Sequence, residues 1–163
     1  MRKLLITALI YLFYFSPAVA EVVKKVNISG NGRVNEETIK IYGGIKINED
    51  YTEQDLNRIL NDLFSTNFFK DVQVELSNNI LNINLIEHPV INELIIIGEP
   101  SNKYKEQIIK ILQSKEKNSY IKNNVAKDIE TIKKLYASAG YNFSQVDVKV
   151  RKIDELNLDL IFE

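Results

Sequence analysis

"DLNRILNDLFSTNFFKDVQVELSNNILNINLIE", residues 55–87, decides the fold, because its apolar period changes part-way along. Leu56, Ile59, Leu60, Leu63 and Phe64 recur at i, i+3, i+4, i+7 and i+8, which makes one stripe on a helix. Thr52 just before them is placed to cap that helix, with Asp55 three residues on. From Val72 the period drops to two. Val72, Val74 and Leu76 share one face, and Gln73 and Glu75 share the other. "SNN" (77–79) is turn chemistry, and Leu81, Ile83 and Leu85 resume the inward face, so two strands pair as a hairpin.

Working outward, the same order of elements occurs twice. "VNISG" (26–30) matches "LIIIG" (94–98), and "EETIKIYGG" (36–44) matches "KEQIIKILQ" (105–113). "DLNRILNDLFSTNFF" (55–69) matches "DIETIKKLYASAGYNF" (128–143). "VQVEL" (72–76) matches "VDVKV" (146–150), and "LNINLIE" (81–87) matches "LNLDLIF" (156–162). Five blocks in one order mark an internal repeat. The copies meet at "EHPVINE" (87–93), where Pro89 interrupts regular structure. In the first copy Asn35 caps a short helix holding Ile39 and Tyr42, with Gly43 past its end. In the second, Val125, Ile129, Ile132, Leu135, Tyr136 and Ala139 form the stripe of the longer helix, and Gly140 stands where a left-handed residue ends it. Val146, Val148 and Val150, then Leu156, Leu158 and Leu160, repeat the two alternating strands.

The fold class is therefore α+β. Each copy is β-α-α-β-β, a three-stranded mixed sheet covered on one face by two helices, over residues 21–88 and 89–163. With ~70 residues apiece, each core is near the lower limit for independent stability.

Residues 1–20 stand apart. "MRK" is basic, "LLITALIYLFYF" is apolar, and "SPAVA" ends in small residues, the order of a cleaved secretory signal peptide with its cut after Ala20. The apolar run is short of the ~20 residues a bilayer core needs. Cleavage removes Arg2 and Lys3 and no acid, leaving 19 basic against 22 acidic residues. That weak negative charge argues against nucleic acid as a partner. With no cysteine, an exported chain relies on its core alone.

The turn "SGNGRVNEE" (29–37) sits between a strand and a helix, as phosphate-binding loops do. The dinucleotide fingerprint needs a third glycine where Asn35 stands, and a P-loop needs Lys-Ser or Lys-Thr after its last glycine. The second copy has "GEPSNKY" there, with one glycine and Pro100. The turn reads as a corner in which Gly30 and Gly32 supply positive φ and Asn35 caps a helix. No catalytic, metal or cofactor residues are assigned. His88 is the only histidine and reads as a solvated linker residue. No nucleophile has a base beside it, and no carboxylate pair stands at catalytic spacing. "NIS" (27–29) and "NFS" (142–144) match a glycosylation sequon by chance. The aromatic residues Phe68, Phe69, Tyr141 and Phe143 at the ends of the second helices are expected to close the core.

The residues now in view resemble a known family. L-F-x-T-x-x-F-x-D-V-x-V, then L-x-I-x-L-x-E-x-P, then I-x-E-L-x-I-x-G, across 63–98, resemble the junction of the first two POTRA repeats in BamA-like outer-membrane assembly factors. The resemblance extends over essentially all of 21–163. It implies a non-enzymatic, periplasmic region that hands unfolded outer-membrane proteins to a membrane β-barrel and scaffolds accessory lipoproteins. It further implies more repeats and a barrel beyond Glu163, which attach the region to the outer membrane. The related alternative is the POTRA region of a transporter that secretes or translocates a single partner. A small sheet has an edge, and an edge accepts an extended chain as an added strand. The last strand of each copy is the more uniformly apolar, so it is expected to be central, which puts Val72, Gln73, Val74, Glu75 and Leu76, and Val146, Asp147, Val148, Lys149, Val150 and Arg151, at the edges. Glu75, Asp147, Lys149 and Arg151 would guard those edges against self-association.

Overall fold

A computed structural model describes residues 20–163, so the expected leader falls outside the described residues but for Ala20. The first copy runs β1 (Glu21–Val22), β2 (Lys25–Ser29), α1 (Glu36–Tyr42), β3 (Asp50–Tyr51), α2 (Glu53–Ser65), β4 (Phe69–Ser77) and β5 (Ile80–Glu87). The second runs β6 (Val90–Ile96), α3 (Asn102–Ile111), α4 (Lys122–Ser138), β7 (Val148–Lys152) and β8 (Asn157–Phe162). Each copy holds a three-stranded mixed sheet. The orders are β2-β5-β4 and β6-β8-β7, with the outer pairs parallel and antiparallel in turn. The last strand of each copy is central.

Local chemistry accounts for the helices. Asn35 accepts the Thr38 N–H at 2.8 Å and so caps α1. Thr52 and Asp55 form a reciprocal capping box on α2, and that bonding holds the Asp55 carboxyl below its usual range, the Thr52 backbone N–H first. Ser101 caps α3. α4 has no side-chain cap; its buried Asp128 instead accepts the N–H groups of Gln113 and Ser114, pinning the turn before it.

Matched positions build two separate cores. Ile39 and Ile108 are both buried, as are Ile59 and Ile132. Leu81, Ile83 and Phe69 complete the first core; Ile91, Leu158, Leu160 and Phe162 complete the second. Each such side chain contributes about 1.5–3 kcal/mol relative to exposure.

Several expectations need correction. β6 starts at Val90, so the junction shrinks to His88 and Pro89, because Val90 and Ile91 are already sheet and core residues. β7 starts at Val148 rather than Val146. Phe64, next to the last residue of α2, is about half exposed, and Val150 in the middle of β7 is 41% exposed, so neither is a core residue. Ala139 is exposed past the end of α4. Gly43 is right-handed and Gly44 takes the positive φ; Gly140 takes it as expected. Gly32 is not left-handed. It lies where the repeats meet, and a Cβ there would come within 2.9 Å of Leu156 Cδ1. Phe69 is buried, but Tyr141 and Phe143 are not: Phe143 is 97% exposed.

An unforeseen element is the two-stranded sheet of β1 with β3. It buries Val23 and Tyr51, and Glu21 accepts the Asn79 N–H, so the start of the fold clamps the β4–β5 turn.

Candidate functional site

The sequence placed the site on two strands, and both lie at the end of their sheets: β4 pairs with β5 and β7 with β8. The two strands belong to different sheets, so the eleven residues form two separate edges. Val146 and Asp147 precede β7, although Asp147 and Glu163 exchange N–H···O=C bonds at 2.9 Å in both directions.

That exchange fixes which backbone groups are free. In an antiparallel ladder, residues that bond the partner alternate with residues that bond outward. Asp147 bonds inward, so Lys149 and Arg151 do as well, opposite Ile161 and Asp159. Val148, Val150 and Lys152 turn their N–H and C=O groups away from β8. The same parity holds for β4. Asn78 and Asn79 have φ of 53° and 64°, a two-residue hairpin turn whose flanking pair, Ser77 and Ile80, bonds across the ladder. Glu75 and Gln73 then bond inward, and Leu76, Val74 and Val72 bond outward. A register shift at Phe69/Asp71 bends the start of the strand.

The two edges differ in charge. β7 carries Lys149, Arg151 and Lys152; β4 carries Lys70, Asp71 and Glu75. Arg151 sends Nε and Nη2 to Asp159 Oδ2 at 2.9 and 2.7 Å. The Asn92 side chain also donates to Asp159. Together they hold the Asp159 carboxyl below its usual range, Asn92 contributing most. Lys149 pairs with Glu163. Gln73 and Glu75 are exposed, so β4 has a polar outer face.

Each sheet also has a second edge, which the sequence reasoning passed over. In the second copy it is covered. Ile91 N–H donates to Asn118 C=O, Lys117 N–H to Ile91 C=O, and Leu94 N–H to Glu116 Oε1, so the α3–α4 loop caps β6. In the first copy it is β2, whose Asn27 and Ser29 hydrogen-bond Asn82 and Asn84 across the helix-free face. The signal was available in the apolarity of the last strand, because a central last strand leaves the first strand of the sheet outermost.

The glycine-bearing turn does bind an anion, an internal one. Glu87 Oε1 accepts the N–H groups of Gly32, Arg33 and Val34 at 3.1, 3.1 and 2.8 Å. This concave run of backbone donors is filled by the chain's own carboxylate. Arg33 adds an ion pair at 3.7 Å and lies over the Phe68 ring. Beside it His88 is partly buried rather than solvated; burial, then the Lys70 charge, lowers its pKa. Among the described residues no group of three or more His, Cys, Asp or Glu is placed to hold a metal ion, and no helix is long and apolar enough to cross a membrane.

The family model for POTRA, "Surface antigen variable number repeat", matches residues 21–87 and again 89–163. The chain belongs to the POTRA family. Its two POTRA repeats are similar to part of the outer membrane protein assembly factor BamA of Neorickettsia risticii, with 27% identity over 151 residues. That match takes in 91% of this chain and 20% of the relative. BamA of Neisseria meningitidis is 26% identical over 164 residues, again across 20% of its length. The chain thus spans about a fifth of these relatives. Among solved structures, the N-terminal domain of Omp85 from Thermosynechococcus elongatus shares the fold at a TM-score of 0.58 and 17% identity, over 90% of this chain and 63% of that one.

Proposed function

We propose that the two POTRA repeats are the periplasmic region of an outer-membrane protein assembly factor of the BamA type, exported by a signal peptide cleaved after Ala20. They bind unfolded outer-membrane proteins by strand addition at β4 and β7 and scaffold accessory lipoproteins, without catalysis. The observation that carries this is the pair of unpartnered edges on a chain similar to BamA. Main-chain hydrogen bonding is indifferent to side-chain identity, which suits a binder of many clients.

The outward N–H groups define the test. A fluorescent ten-residue peptide alternating apolar and polar residues, the pattern of a barrel strand, is titrated against residues 21–163. Proline at Val74 and Val150 removes an outward donor from each edge. Weaker binding by the double variant, with an unchanged fold by circular dichroism, supports strand addition; unchanged binding overturns it.

A further inference from the structure

The second repeat contains a cavity of about 580 Å³ at the end of its core, between the C-terminal end of β6, the start of α3, the end of α4 and the segment leading into β7. That volume is in the range of ligand pockets. Ile96, Ile108, Ile132 and Phe162 line its depth, and Tyr136 and Tyr141 wall it, their rings edge-on at 6.3 Å.

The internal repeat explains why it is there. Phe69 and Phe143 are matched residues, each three positions before the matched valines Val72 and Val146. In the first repeat Phe69 opens β4 and is 1% exposed, filling the end of its core. In the second the strand starts five residues later, at Val148, and Phe143 stands in solvent. Opposite the matched ends of the central strands, Glu87 and Phe162, the first repeat places Phe69 and the second the smaller Val148, so the second repeat has less side chain at this corner.

From these facts we infer that the pocket receives an aromatic side chain from a chain added to β7, seated as Phe69 is seated in the first repeat. This rests on the strand-addition reading and supplies it with a side-chain preference. The pocket adjoins the free edge: Val146 and Glu163 line it, and the Asp147–Glu163 backbone pair closes the ladder beside it. From the outward N–H of Val148, a strand rising ~3.3 Å per residue reaches Val146 in two residues. Val146 and Val148 share the helix-facing side, so the alternate side chains of an added strand point to the side on which the pocket opens.

One polar group disfavours acids. Tyr136 donates to Glu99, and this bond, with the Ser101 N–H at 2.8 Å, keeps the Glu99 carboxyl below its usual range and ionised. Burial and Glu99 push the Tyr136 phenol up to about 12, so it stays neutral. An incoming carboxylate therefore meets the negative charge of Glu99 in the lining, while Glu163 there is paired with Lys149.

The probes are two labelled ten-residue strand peptides, identical except for one Phe or Ala at an inward position, titrated by anisotropy against residues 21–163. The Phe peptide is expected to bind about tenfold more tightly, the scale of burying one aromatic side chain, and to shift the methyl resonances of Ile96 and Ile132. Tyr141→Ala removes a wall and Gln145→Trp fills the mouth, both at exposed positions; each should bring the ratio near one while leaving the Ala peptide unchanged. Equal affinities in the unaltered protein, or a ratio that survives both variants, overturn the inference. So does a preference that emerges only in Phe143→Ser, because the pocket is then filled by the chain's own ring. If Val150→Pro leaves both peptides bound as before, strand addition at β7 itself fails, whatever the pocket variants do.

Discussion

Glu87 Oε1 accepts the Val34 N–H at 2.8 Å, the shortest of the bonds by which the last residue of β5 holds the turn between β2 and α1. Glu87 is 6% exposed and the donors are backbone groups, so no rotamer change can satisfy them elsewhere. Glu87→Gln keeps one acceptor oxygen and loses the charge, with an expected cost of about 1–3 kcal/mol. Glu87→Ala strands the N–H groups and should cost more, about 3–5 kcal/mol. Urea unfolding of the pair orders the two losses. An alanine variant as stable as the glutamine one would mean that water, and not the carboxylate, satisfies the turn.

Gly30 and Gly98 close the first strand of each repeat with φ of +79° and +83°, yet they should differ sharply on substitution. A Cβ on Gly30 would stand 1.9 Å from Leu85 C=O, inside the central strand, whereas one on Gly98 meets nothing within 4 Å. Gly98→Ala pays only for the left-handed backbone, about 1–2 kcal/mol. Gly30→Ala must also push the turn off β5, and is expected to unfold the first repeat at ordinary temperature. Thermal melts followed by amide resonances from each repeat separate the cases; equal losses would refute the contact argument.

Proline scanning tests the ladder parity derived from the Asp147–Glu163 exchange. Val150→Pro deletes an outward N–H and should leave the fold nearly intact, as edge positions tolerate proline. Lys149→Pro deletes a donor to Ile161 and should detach β7, a clear loss of stability where Val150→Pro shows almost none. Gln73 and Val74 form the corresponding pair on β4. If the two prolines on one strand are equally tolerated, the parity is wrong.

How much of this was legible beforehand follows from what alternation and capping report. The helix at 53–65, its Thr52–Asp55 box and the alternation of β4 and β5 are local signals, and they are observed as read. What was not legible is non-local. Matched aspartates serve different ends: Asp55 caps its own helix, while Asp128 reaches back to Gln113 and Ser114. Glu87 looked like the end of an alternating strand, and nothing in its neighbours announces three amide donors 53 to 55 residues away. Phe143 matches a buried residue and is exposed because β7 pairs late, which is a property of the sheet. Edge position followed from apolarity, but the inward or outward sense of each amide required the register.

Acidification should weaken the fold in two stages. His88 has a lowered folded pKa, so its neutral form is the one the fold prefers. Its contribution is complete above the unfolded value near 6.5 and is lost as pH falls from there toward the folded value. Asp55, Asp154 and Asp159 are also lowered, from 3.8, and Glu99 from 4.5, but here the charged form is preferred. Their contribution is complete above those unfolded values and is lost as pH falls through the lower folded ones. Urea midpoints measured from pH 8 to pH 3 should therefore decline first just below 6.5 and again below about 4.5. His88→Gln should remove the first decline and leave the second, since burial and Lys70 shift His88 whereas Asn92, Arg151 and Glu93 act on Asp159. Arg151→Gln should shrink the second, because the guanidinium helps hold Asp159 ionised. A first decline that persists without His88 would assign it to some other group, and an unchanged second decline in the Arg151 variant would remove this ion pair from the acid response.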